Sequence, residues 1–222
     1  MGSVNEIIEL SNEFVVCVGS GRSWLLRWVD GQYKVLEQWH EEVLAANKHL
    51  VITTKSIYFW ECFPLSSSVF KSESILLASA DGERGYYLDG EGKIKTVGEG
   101  LEEEKVIGEG EDVYLMVFLG EKLVTASTSD LSKLTLYHDD SFSHFQLQEQ
   151  SMIRSLGLLR LETEETEAYC LVVGYLNGRL FVYDLDGSVI VSFSHLPPHP
   201  VRMVNINPSK MCISLGRSQY LL

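Results

Sequence analysis

Residues 168–193, AYCLVVGYLNGRLFVYDLDGSVIVSF, constrain this chain more than any other stretch. Cys170 to Gly174 is an apolar run that ends in glycine. Leu176-Asn177-Gly178 supplies a turn, because Asn and Gly adopt positive φ at low cost. Arg179 to Leu185 alternates polar and apolar residues and is rich in β-favouring types, and Asp186-Gly187 makes a second turn before Ser188 to Phe193. Three short strands joined by tight turns form a meander. A meander this small cannot bury both faces alone, so it requires neighbours of its own kind.

The rest of the chain supplies them. Glu13 to Ser20, Trp24 to Val29 and Gln32 to Trp39 repeat the pattern, with turns at Gly19–Gly21 and Asp30-Gly31. Val4 to Leu10 reads as a further strand, a candidate to close an incomplete last blade. His49 to Thr54 and Ser56 to Cys62 form a pair across Thr54-Lys55, a link without glycine. Glu41 to Asn47 is compatible with one helical turn, although the pair that follows argues for meander there too. Ile75 to Ala80, Gly85 to Leu88 and Lys93 to Val97 give three strands, with turns at Asp81-Gly82 and Asp89-Gly90. Val113 to Phe118, Lys122 to Ser127, Lys133 to His138 and Ser143 to Leu147 give a set of four. Met152 to Leu161 precedes the 168–193 meander, and Val201 to Ile206, Lys210 to Leu215 and Gln219 to Leu222 begin another set.

Inner hairpins therefore recur near residues 14–28, 49–62, 75–88, 122–137, 169–184 and 210–222. Their spacing, roughly 25 to 48 residues, centres near the length of a four-stranded propeller blade. The fold class expected is all-β, a β-propeller of WD-like antiparallel meanders with six to seven blades, or part of one. Residues 1–222 then form a single propeller domain or a fragment of one. The aromatics Trp24, Trp28, Trp39, Tyr58, Phe59, Trp60, Tyr86 and Tyr87 fall on strands and are expected mainly in the core between blades, with one or two free to anchor a partner.

One segment breaks the pattern. Gly98 to Asp112, GEGLEEEKVIGEGED, is rich in Gly and Glu and reads as an exposed loop. A docking site for a basic partner or a cation site is the sharper alternative for Glu99–Asp112, although the spacing of a helix–loop–helix calcium site is missing.

The 222 residues carry a net charge of −13. That balance argues against direct nucleic-acid binding, which depends on Lys and Arg neutralising phosphates, and favours basic partners. No apolar run is long enough to span a membrane, and the N-terminus lacks the pattern of a secretory signal. Cys17, Cys62, Cys170 and Cys212 form no CxxC pair and read as reduced thiols, three of them within apolar runs.

Reactive constellations are scarce. His195 and His199 flank Pro197 and Pro198, which forbid the helix that would aim both imidazoles at one metal. His138-Asp139-Asp140 resembles half of an acid–base set but falls at a turn. Gly19-Ser20-Gly21-Arg22-Ser23 follows a strand as a phosphate loop does, yet lacks the Lys-Ser/Thr pair and leads into another strand. No catalytic, cofactor or metal residue is nominated, and no cofactor is expected; the residues that bind partners are left unassigned.

Three stretches, in order, resemble the large multi-propeller scaffold family. Its members include the large subunits of the UV-damaged-DNA-binding complex, of a U2-type splicing factor and of the cleavage-and-polyadenylation factor. The first stretch is SWLLRWVDGQYKVLEQWH…NKHLVITTKSIYFWEC, Ser23 to Cys62. The second is KLVTASTSDLSKLTLYHDD…SMIRSLGLLRLE, Lys122 to Glu162. The third is LVVGYLNGRLFVYDLDG…HPVRMVNINPSKMCISLGRSQYLL, from Leu171. Phe63 to Asp112 departs from the family pattern, and the chain is shorter than three propellers. The resemblance implies a non-catalytic, nuclear protein scaffold, with a cytoplasmic pool allowed. It would hold partners in a multi-subunit complex such as a cullin–RING ubiquitin ligase or an RNA-processing assembly. A WD-like adaptor unrelated to that family is the alternative.

Overall fold

The computed structural model describes residues 4–62, 66–71, 74–80, 84–98, 104–110, 112–119, 121–138, 141–162, 167–193, 201–207, 210–215 and 218–221. It is all-β; no helix occurs among the described residues. The chain divides into two compact units, Met1–Glu111 and Asp112–Leu222.

The first unit holds three antiparallel four-stranded meanders. Strands β1 (Val4–Ser11), β2 (Phe14–Gly19), β3 (Arg22–Val29) and β4 (Gln32–Trp39) form one sheet in that order. Strands β5 (Val43–Ala46), β6 (Leu50–Thr53), β7 (Ser56–Cys62) and β8 (Ser66–Lys71) form the second. The third runs β9 (Ile75–Ala80), β10 (Gly85–Asp89), β11 (Lys93–Val97) and β12 (Lys105–Glu109). Asp30 and Gly31, at φ 53° and 80°, make the two-residue turn between β3 and β4, whose paired positive φ values match the twist of the flanking strands.

Apolar side chains fill the spaces between successive sheets. Leu10, Val16, Val18 and Leu25 of the first sheet and Trp39 at its outer end pack with Val43 and Val51 of the second. Leu50, Ile52, Ile57 and Phe59 of the second pack with Ile75, Tyr87 and Val97 of the third. Ser23, fully buried, ties the first pair together: its hydroxyl donates to the Glu41 carbonyl (3.2 Å) and accepts from the Val43 amide (3.0 Å). Gly85 marks a close approach of the next pair, for a Cβ there would lie 2.8 Å from Ile52 Cδ1.

In the second unit, β13 (Val113–Leu119), β14 (Lys122–Ser127), β15 (Lys133–His138) and β16 (Ser141–Gln146) form a meander. So do β17 (Ile153–Glu162), β18 (Glu167–Tyr175), β19 (Leu180–Asp184) and β20 (Val189–Phe193). Strands β21 (Val201–Asn207), β22 (Lys210–Leu215) and β23 (Ser218–Leu221) form a three-stranded sheet. The core between the first two sheets joins Val124, Leu134 and Phe145 to Leu156, Leu171, Val173, Tyr175 and Tyr183.

Several expectations are corrected. The Gly98–Asp112 segment is not loop throughout: Lys105–Glu109 is the outer strand of its sheet, with Lys93 opposite Glu109 and Ile94 opposite Gly108. Residues 99–103 and 111 lie outside the described residues. Val4–Leu10 belongs to the first sheet, where β1 pairs along its length with β2. Glu41–Asn47 holds a strand, β5, because the Asn47 carboxamide accepts the His49 and Leu50 amides and makes the turn itself. The hairpin near 75–88 is the first pair of its sheet rather than the inner one. Trp28 is 46% exposed, whereas Trp39, Phe59, Tyr86 and Tyr87 are buried. Cys17 and Cys170 are buried free thiols and Cys212 is half-buried; the Asp81-Gly82 turn and the Cys62 side chain lie outside the description.

Candidate functional site

The polar groups singled out in sequence are structural where they can be seen. Ser20-Gly21 is the turn between β2 and β3. His138 Nδ1 lies 3.0 Å from the Glu121 carbonyl, a geometry that makes Nδ1–H the donor. Asp139, Asp140, His195 and His199 lie outside the described residues. No group of three His, Cys, Asp or Glu side chains among the described residues is placed to hold a metal.

Glu104, in the acidic segment, shares a counter-charge with Asp89. Glu104 accepts from Tyr87 Oη and pairs with Lys95 Nζ at 2.8 Å, while Asp89 pairs with the same ammonium at 3.0 Å. Asp89 also accepts the amides of Glu91 (3.0 Å) and Lys93 (2.9 Å). Burial pushes both carboxyl pKa values up, but the Lys93 and Glu91 amides and Lys95 hold Asp89 below its ordinary value. Lys95 and Tyr87 do the same for Glu104. The hydrogen bond to Glu104 raises Lys95 in return, against a smaller opposing effect of burial. Charge–charge matching here fastens the chain before β12 to its own sheet, and the cluster is a clasp.

A concavity lies in the second unit, where the wedge between the β13–β16 and β17–β20 sheets opens. Its volume is about 510 Å³. Strand alternation builds it: Val124 faces Leu136 across β14 and β15, Leu134 faces Phe145 across β15 and β16, and Leu158 faces Leu171 across β17 and β18. Val124, Leu134, Phe145 and Leu171 form a buried floor. Tyr169 (42% exposed) and Leu185 (60% exposed) stand at the rim with Glu121 and Lys122. Apolar surface of this kind at a mouth is where a partner's side chain gains most by leaving water.

Tyrosines hold that wedge at a fixed width. The Ile153 amide donates to Tyr114 Oη at 2.8 Å, and the Gln148 amide donates to Tyr183 Oη at 3.2 Å. Tyr175 Oη is 3.4 Å from Tyr183 Oη. Burial raises the phenol pKa values of Tyr114 and Tyr175, so both stay protonated and donor-competent at neutral pH.

A second constellation sits in the first unit. Trp39 on β4 meets Tyr58 and Trp60 on β7, with ring centroids 6.1 and 6.4 Å away. The Glu41 and Glu37 carboxylates both act on Tyr58, whose pKa is raised first by burial and then by these charges. Glu41 accepts from the Thr53 hydroxyl. Sequence reading placed the three rings on strands but gave no sign of the carboxylates beside them. It also missed the cleft, whose aliphatic lining looks like any other strand interior.

No family model and no curated protein matches this chain. Solved structures do match. The WD40 β-propeller domain of Doa1 is similar with a TM-score of 0.64 at 12% identity, over 96% of this chain and 75% of that one. BBS1N, solved in complex with ARL6DN, is similar with a TM-score of 0.66 at 11% identity, over 97% of this chain and 76% of that one. Raptor of Chaetomium thermophilum gives 0.68 at 14% identity, over 97% of this chain but 22% of the much longer relative. Likeness at these identities is likeness of fold: the chain has the β-propeller fold, built from antiparallel meander blades.

Proposed function

We propose that this chain is a non-catalytic protein-interaction scaffold, and that a short apolar segment of a partner docks in the cleft between the β13–β16 and β17–β20 sheets. The observation that carries the reading is the cleft itself: about 510 Å³, with a buried aliphatic floor and exposed Tyr169 and Leu185 at its mouth. A side chain seated there gains about 1.5–3 kcal/mol from leaving water, without any reactive group at the site. The solved propellers supply context, since BBS1N was solved with a partner protein.

The chain works in the nucleus, with a cytoplasmic pool, as part of a multi-subunit assembly of the damage-binding, splicing or polyadenylation type. The three ordered sequence stretches from Ser23, Lys122 and Leu171 support this assignment. A second reading, an adaptor outside that family, is favoured by the similar structures, which are WD40 and other propellers.

The test is interaction mass spectrometry on native extract, comparing wild type with Leu185→Glu and Tyr169→Ala. Both side chains are well exposed, so each substitution leaves stability within about 0.5 kcal/mol. The expected result is a defined partner set that both variants lose. Recovery of the protein alone, or an unchanged partner set in both variants, contradicts the proposal. Repair and RNA-processing subunits in the set favour the first assembly class, and their absence favours the second.

A further inference from the structure

Glu37 stands opposite Leu25 on the neighbouring strand, and Trp39 stands opposite Ser23. Leu25 and Ser23 are both fully buried. Two residues apart on one strand, Glu37 and Trp39 project from the same face, the face packed toward the second sheet. Glu37 is half-buried, and its carboxylate has no hydrogen-bond or ion-pair partner among the described residues. Several other carboxylates of the first unit do have partners. Asp89 and Glu104 share Lys95, Glu13 pairs with Arg27, and Glu41 accepts from Thr53. A partly desolvated carboxylate without a counter-charge costs stability, and burial does push the Glu37 carboxyl pKa up.

The surroundings suit a cation. Tyr58 and Trp60 are half-buried and keep part of their surfaces in contact with solvent, while Trp39 is 3% exposed behind them. Ring faces next to carboxylates attract ammonium and guanidinium groups, and do so more strongly as water is removed. A peptide's side-chain cation complements both the carboxylate and the exposed ring surface. The chain's net charge of −13 draws basic segments toward it.

We infer that Glu37, Trp39, Tyr58 and Trp60 form a seat for the basic side chain, lysine or arginine, of a protein partner. The inference rests on the reading of the chain as a protein-binding scaffold, but it uses a different site from the cleft. Glu37 supplies the counter-charge, Tyr58 and Trp60 supply the walls, and Trp39 backs them.

Three probes test it on the full chain: the Nα-acetyl N-methylamides of lysine, arginine and norleucine, titrated to tens of millimolar. The readout is the Trp39 and Trp60 indole N–H resonances, assigned by Trp→Phe substitution. The lysine and arginine probes are expected to shift both resonances saturably, and the uncharged norleucine probe to leave them unmoved. Glu37→Gln is expected to weaken the cationic probes by about three- to ten-fold. Glu91→Gln, at an exposed ion pair elsewhere, leaves binding unchanged. Urea unfolding supplies the second readout. If Glu37 is kept for binding, Glu37→Gln folds at least as stably as wild type, whereas a structural role makes it less stable. No saturable shift with either cation, equal shifts with norleucine, or undiminished binding by Glu37→Gln overturns the inference. A silent seat together with partner loss in Leu185→Glu sinks this inference alone and leaves the cleft standing.

Discussion

Replacing Gly85 with alanine places a methyl carbon 2.8 Å from Ile52 Cδ1 and 3.1 and 3.2 Å from the two Leu50 methyls. Ordinary carbon–carbon contacts lie near 3.5–4.0 Å. Ile52 and Leu50 are completely buried between the second and third sheets, so neither can swing outward. Overpacking of this kind costs about 1–3 kcal/mol. Loss of unfolded-chain entropy at the new alanine offsets about 0.4–1 kcal/mol of that. The net expectation for Gly85→Ala is a destabilisation centred on about 1.3 kcal/mol and reaching about 2.6 kcal/mol, measured as a lower urea midpoint with an unchanged slope. The diagnostic partner is Ile52→Val, which deletes the clashing Cδ1 atom and alone costs about 0.5–1.5 kcal/mol. Combined, the two should cost less than their sum by about 1 kcal/mol, because the atom that collides is gone. A neutral Gly85→Ala, or strict additivity in the double mutant, refutes the packing described between these sheets.

Other outcomes follow from particular contacts. Lys95→Met removes the one ammonium shared by Asp89 and Glu104 and should cost about 1 kcal/mol at neutral pH, with the side chains partly exposed. Asp89 and Glu104 have lowered pKa values, so their contribution is full above the unfolded value near pH 4 and is lost as pH falls through the folded values. Lys95 is raised, so its contribution holds below its unfolded pKa and is lost only as strongly alkaline pH passes its folded value. Acid unfolding curves should therefore be shallower in Lys95→Met than in wild type. Tyr114→Phe strips the Ile153 amide of its acceptor and should cost about 1–3 kcal/mol, with faster hydrogen exchange at Ile153. Burial raises the Cys17 thiol, and burial together with Asp184 raises Cys170, so both should react with a disulfide reagent far more slowly in the native protein than in urea.

The meanders were legible because their turns carry chemistry. Asp30-Gly31 and Asn177-Gly178 announce hairpins, and Gly31 and Gly178 do adopt positive φ. Turns made otherwise carry a weaker mark: the β6–β7 pair was still legible from its apolar runs, whereas Glu41 to Asn47 also admitted a helical turn. β5 ends at an Asn47 side-chain turn, and the β6–β7 turn is organised by the Thr53 hydroxyl, which accepts the Ser56 amide at 2.9 Å. β12 was hidden for a different reason. It is an edge strand with both faces largely open, so no apolar alternation marks it. Its anchor, Glu104 against Lys95 and Tyr87, joins residues that only folding brings together. The cleft was invisible in sequence because Leu134 and Leu136 alternate with polar neighbours as any half-buried strand does. What distinguishes the site is the divergence of two sheets, a property of packing. Glu37 carried no signal either, since an exposed glutamate and a stranded one are the same letter.

A photo-crosslinking amino acid placed at Leu185, at the mouth of the cleft, tests the scaffold reading most directly. An identical probe at exposed Val106 on β12 serves as the comparison. The Leu185 probe is expected to capture a defined partner protein on illumination, the Val106 probe to capture none, and Tyr169→Ala to suppress the capture. Absence of any adduct at Leu185, or the same adducts from both positions, would contradict the scaffold reading.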